Sequence, residues 1–188
     1  MRTRMIAAMT MAGAVMLGLG GQPDKKGEHP SGGGKHQEHP APAAKASPLD
    51  QLKALAGTWA GPTRGADGKP EHTVTYRVSS GGSAVVETLF PGTDHEMVDM
   101  YTMEGDDLVM THYCAMGNQP HLRYKKDSAK GTMEFEFVNG GNMKSRDEAH
   151  MDSMVLTLIY TYHIKSKWTA LEHGQVTETV EFDLVRQK

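Results

Sequence analysis

Apolar and polar residues alternate along most of this chain. HTVTYRVSS, residues 72–80, sets Val74, Tyr76 and Val78 against Thr73, Thr75 and Arg77. TMEFEFV, residues 132–138, sets Met133, Phe135 and Phe137 against Glu134 and Glu136. A period of two is the mark of a strand with one buried face. Similar runs cover 57–63, 83–90, 95–103, 107–116, 121–126, 154–163, 167–172 and 175–186. Turn-forming clusters separate many of them: Ser79-Ser80-Gly81-Gly82, Pro91-Gly92, Glu104-Gly105-Asp106 and His173-Gly174. About ten strands with such punctuation every eight to twelve residues predict an all-β fold. The short connections predict antiparallel neighbours in an up-and-down order. Closing the sheet removes its two edges, so a barrel of about eight to ten strands is expected.

One segment breaks the period. In SPLDQLKALAG, residues 47–57, Leu49, Leu52, Leu55 and Ala56 fall on one helical face. Ser47 is a good N-cap, Pro48 suits the first helical position and Asp50 completes a capping box. Gly57 is placed to end the helix in a left-handed conformation. The spacing predicts a short helix over 48–56 whose leucines plug one end of the barrel.

The first 46 residues follow neither pattern. Arg2 and Arg4 precede an uncharged stretch from Met5 to Gly20, with small residues at Gly18, Gly20 and Gly21. This is the layout of a secretory signal peptide, and the run is shorter than the roughly 20 residues that span a bilayer comfortably. Residues 21–46 hold no aromatic or branched aliphatic side chain. Such a segment buries too little apolar surface to fold, and reads as a disordered linker. Its His29, His36 and His39 read as solvated linker residues. The organisation is therefore signal 1–20, linker 21–46 and one domain over 47–188, in a secreted or periplasmic protein.

Charge and cysteine content narrow the function. The 20 basic residues lose Arg2 and Arg4 with the signal, leaving 18 against 23 acidic ones. No basic cluster interleaves with aromatics, which argues against nucleic acid and anionic membrane surfaces as partners. No membrane insertion of the mature chain is expected. A single cysteine closes no internal disulfide, so the fold must rest on its core.

That cysteine, Cys114, lies in THYCAMGNQPH, residues 111–121. Strand alternation puts Leu108, Met110, His112, Cys114 and Met116 on one face. Three readings of His112 and Cys114 are open. The first is a buried, hydrogen-bonded histidine beside an inert, shielded thiol with a raised pKa. The second is a Zn or Cu site, with Met110 or Met116 as a soft third ligand and His150 or Asp152 as a further one. The third is a nucleophile and its base. Asn118 and Gln119 belong to a turn that ends at Pro120, where they can orient a ligand's polar end. No Ser-His-Asp spacing, phosphate loop or HExxH is present. The carboxylate pairs Glu134/Glu136 and Glu178/Glu181/Asp183 fall on outer faces.

The opening LKALAGTWAG, with Gly57 and Trp59, resembles that of calycin-type barrels, in which a helical turn leads into a Gly-x-Trp strand. The closing WTALEHGQVTETVEFDLVR is similar to the last hairpin of small exported bacterial lipocalin-like domains of unknown function. The resemblance implies that Trp59 packs across a closed end and that the barrel holds a small apolar molecule. Haem-binding relatives of nitrobindin type have Gly-x-Trp-x-Gly-x-Gly. Here Thr63 replaces the last glycine, and the final strand has no histidine, which argues against haem. The expectation is non-covalent binding of an apolar or amphipathic ligand, without catalysis or cofactor. His112, Cys114, Met110, Tyr76, Asn118, His150 and Leu156 are the candidate ligand contacts.

Overall fold

The computed structural model describes residues 46–62 and 71–188. The expected signal and linker, up to Lys45, and Thr63 lie outside the described residues. The helix α1 is Pro48–Lys53. The strands are β1 Gly57–Ala60, β2 Thr73–Ser79, β3 Ala84–Leu89, β4 Met97–Glu104, β5 Asp107–Tyr113, β6 Gln119–Tyr124, β7 Thr132–Gly141, β8 His150–Tyr160, β9 His163–Glu172 and β10 Gln175–Arg186. They form a closed barrel in which each strand pairs antiparallel with its neighbour in sequence, and β1 pairs with β10. The sequence-based expectation of an antiparallel up-and-down barrel holds, at the upper end of its strand count.

Alternation places the core. Val74 and Tyr76 of β2, Val85 and Leu89 of β3, Leu108 and Met110 of β5, and Met133 and Phe135 of β7 point inward. Met154 and Leu156 of β8 and Phe182 and Leu184 of β10 complete one continuous cluster. Burial of this apolar surface is the main term holding the barrel closed.

The helix forms as its capping residues dictate. The Ser47 hydroxyl accepts from the Asp50 N–H, and the Asp50 carboxylate accepts from the Ser47 N–H. Leu49, Leu52 and Leu55 insert into the barrel core. The helix is shorter than expected, and its C-cap is Ala54. Beyond it, Leu55 and Ala56 donate to Leu52 and Lys53, so the last turn tightens. Gly57 has φ of 132° but opens β1 instead of ending the helix.

Arg186, the last residue of β10, holds this end together. Its guanidinium donates to the carbonyls of Ala54 at 2.7 Å and Ala56 at 2.6 Å, and lies 4.4 Å from the Trp59 ring centroid. The Trp59 indole in turn donates to Leu55 O at 2.8 Å. A Cβ at position 57 would approach Arg186 Nη1 to 3.1 Å, a second reason for glycine there. The ends of β3 and β5 and the starts of β4, β8 and β10 lie at the opposite end of the barrel.

Candidate functional site

Four polar residues stand where alternation puts core side chains. In β3, Glu87 falls between buried Val85 and Leu89; in β4, Asp99 is two residues from buried Tyr101. The barrel register aligns them: Tyr76 opposite Glu87, Glu87 opposite Asp99, and Asp99 opposite His112. A polar row therefore crosses four adjacent strands inside the barrel. Glu87, Asp99 and His112 are each 2% exposed or less.

Buried charges require partners, and the row supplies most of them. The Tyr76 hydroxyl is hydrogen-bonded to Glu87 Oε1 at 2.7 Å, and the Tyr101 hydroxyl to Oε2 at 2.5 Å. His112 Nδ1 lies 2.7 Å from Asp99 Oδ1. Burial, reinforced by the negative charge of Asp99, pushes the Glu87 carboxyl up to about 8 against the pull of the two tyrosines. Burial raises Asp99 also, opposed by His112. For His112 burial favours the neutral ring, but Asp99 outweighs it and lifts the imidazole to about 10. At neutral pH Glu87 thus keeps its proton, and Asp99 holds the His112 imidazole in its protonated form.

The pairing uses only one nitrogen of the imidazole. His112 Nε2 is buried without a hydrogen-bond partner, as is Nε1 of Trp168 on β9. The two rings are in contact, with centroids 4.9 Å apart. Both line a cavity of about 540 Å³ at the barrel end opposite α1. Its walls are mainly apolar, from Leu89, Phe90, Met97, Met151 and Phe182, and Thr93, His95 and Glu178 contribute polar groups. This volume and lining fall within the range of small-molecule sites.

The β5–β6 turn forms one side of the cavity with Cys114, Ala115 and Met116. Cys114 lies past the end of β5 and is half-buried, so the strand stops earlier than the expected 116. Its N–H donates to Asn118 O, and Gly117 N–H donates back to Cys114 O, a tight turn that Gly117 makes with φ of 86°. Burial pushes the thiol pKa up. The adjacent His112 ring and the Met116 N–H outweigh it, and the net direction is down. The expected raised thiol is thereby corrected: the residue sits at the edge of a cavity beside a cationic ring, not in the middle of an apolar strand.

The other candidates are placed differently. Met110, Tyr76 and Leu156 are buried in the core and do not line this cavity. Asn118 is a tie: its side-chain amide donates to Ala149 O at 2.8 Å. His150 is fully buried against Phe137, with Nδ1 2.6 Å from Glu148 O and Nε2 3.5 Å from Asp152 Oδ1. A bulge between Met151 and Ser153 shifts the register there. His150 and Asp152 therefore do not continue the inward row of Met154, and Met151 reaches the cavity instead. Among the described residues no three His, Cys, Asp or Glu side chains gather as a metal centre requires.

Sequence reasoning missed Glu87, Asp99, Tyr101 and Trp168. A signal for the first two exists: each is a carboxylate with apolar residues two positions away on both sides, Val85 and Leu89, Met97 and Tyr101. No family model matches this chain, and no curated protein matches it.

Proposed function

We propose that this protein is an exported, lipocalin-like barrel that holds a small apolar or amphipathic molecule non-covalently. The cavity carries the reading: about 540 Å³, bounded by Phe, Leu, Met and Trp side chains, at the barrel end away from the helix. Two methionines in the wall, Met97 and Met151, suit an irregular ligand because their side chains adapt and polarise. Trp59 buried beneath Arg186, directly after a leucine-faced helix, supports the lipocalin-like assignment. The layout of residues 1–20 supports export.

The test is titration with a neutral, environment-sensitive dye such as N-phenyl-1-naphthylamine. The protein is expected to bind it with enhanced fluorescence. Met151→Trp, which fills the cavity from a half-buried position, is expected to weaken binding at least about tenfold. This corresponds to about 1.4 kcal/mol. Undiminished binding by a folded Met151→Trp protein would remove the cavity as the site.

A further inference from the structure

The polar groups in the cavity wall specify one end of the ligand. Trp168 Nε1 can only donate. His112 Nδ1 is engaged by Asp99, and a ring that carries both protons offers Nε2–H as a second donor. Both nitrogens are buried without a geometric hydrogen-bond partner, and the Cys114 thiol beside the His112 ring is only a weak acceptor. Buried donors without partners are uncommon in folded proteins, and each costs the full desolvation of its N–H. Two such groups sit on touching rings of residues that line one cavity.

We propose that the cavity binds an amphipathic carboxylate, its head group accepting from His112 Nε2–H and Trp168 Nε1–H and its tail lying against Leu89, Met97, Met151 and Phe182. This rests on the cavity-binding reading above and adds the ligand class. A carboxylate brings two acceptor oxygens, one for each donor, and a charge that complements the imidazolium. A hydroxyl would satisfy one donor and bring a proton that needs an acceptor of its own. A cationic head would meet the imidazolium with like charge. The carboxylate of Glu178 does not compete, because it is exposed.

The experiment is calorimetric titration of the full chain with decanoate, decanol and decyltrimethylammonium, which share a tail and differ in head. Decanoate is expected to bind at least about tenfold more tightly than decanol, and the ammonium most weakly. Trp168→Phe keeps an aromatic ring in place and removes one donor. It is expected to reduce the decanoate-to-decanol ratio about five- to tenfold. These ratios follow from a charge-assisted hydrogen bond gained or lost. Decanol binding as tightly as decanoate, or a ratio unmoved by Trp168→Phe, would overturn the head-group assignment and leave the cavity reading standing. Failure of all three to bind would overturn the cavity reading itself.

Discussion

Glu87 is the residue on which the interior polar row turns. It is buried, it links two tyrosine hydroxyls, and it keeps its proton to about pH 8. A protonated carboxyl accepts from one tyrosine and donates to the other, and a glutamine amide can do the same. Glu87→Gln is therefore expected to leave stability within about 1 kcal/mol at pH 5. Glu87→Leu strands both hydroxyls and is expected to lose about 2–4 kcal/mol. Urea unfolding of the two variants separates these outcomes, and equal losses would show that packing alone matters at this position. Alternation alone placed His112 inside; its partner on β4 was equally legible as a carboxylate in an apolar row. That the row lines up across four strands was not legible, because register comes from tertiary pairing. Cys114 makes the same point. Its distance from the strand end decides its chemistry, and strand ends depend on turn hydrogen bonds such as Cys114 N–H to Asn118 O. As a half-buried group of the cavity wall, its thiol is expected to react with N-ethylmaleimide in the native state. Bound N-phenyl-1-naphthylamine is expected to slow that reaction several-fold, and an unchanged rate would place Cys114 outside the occupied volume.

Among the elements, the helix shows where local sequence stops deciding. Its start was legible to the residue, since Ser47, Pro48 and Asp50 act on their own neighbours. Its end was not. The terminal carbonyls of Ala54 and Ala56 are satisfied by Arg186, more than a hundred positions away in sequence. The strands divide in the same way. All ten were visible from period and turns, but β8 begins at His150 and turns at Thr161–Tyr162, where neither Gly nor Pro marks the change. Pro120 lies within β6, opposite Gly140 of β7, instead of closing the turn. Arg186 joins helix, Trp59 and the seam between β1 and β10. Arg186→Ala is expected to destabilise the barrel by about 2–3 kcal/mol, from two charge-assisted hydrogen bonds and a cation–π contact. Arg186→Lys is expected to recover less than half of this, because an ammonium cannot fork between two carbonyls and stack on an indole. Denaturant midpoints measure both, and full recovery by lysine would reduce the role of Arg186 to its charge.

For the whole molecule, the buried row sets how stability depends on pH. Within it, Glu87, Asp99 and His112 bind protons more tightly in the folded chain than when unfolded, as do Tyr76 and Tyr101 at higher pH. Unfolded, a glutamate releases its proton near 4.5, whereas Glu87 keeps it to about 8. Stability is therefore lost as pH rises through that window. Asp99 acts in the same direction. His112 has an ordinary value of 6.5 and a folded one of about 10. Its contribution is complete below 6.5 and disappears as pH rises toward 10. Opposing groups are few: Asp50, lowered to about 2 by Lys53 and Ser47, matters only in strong acid, where solvent screens it, and the half-buried Cys114 thiol, lowered by His112, offsets part of the loss in the alkaline range. The stability maximum is thus expected near pH 5, not near neutrality. One pKa unit corresponds to about 1.4 kcal/mol, and coupling within the row keeps the total below the sum of separate shifts. A loss of about 2–4 kcal/mol between pH 5 and 9 is expected, a fall in melting temperature of about 10 °C for a domain of this size. Glu87→Gln removes the titrating group without removing its hydrogen bonds. Its melting temperature is expected to change less between pH 5 and 8 and to exceed that of the parent at pH 9. Thermal scans of both proteins across this range test the account, and a parent protein more stable at pH 9 than at pH 5 would contradict a proton-binding interior.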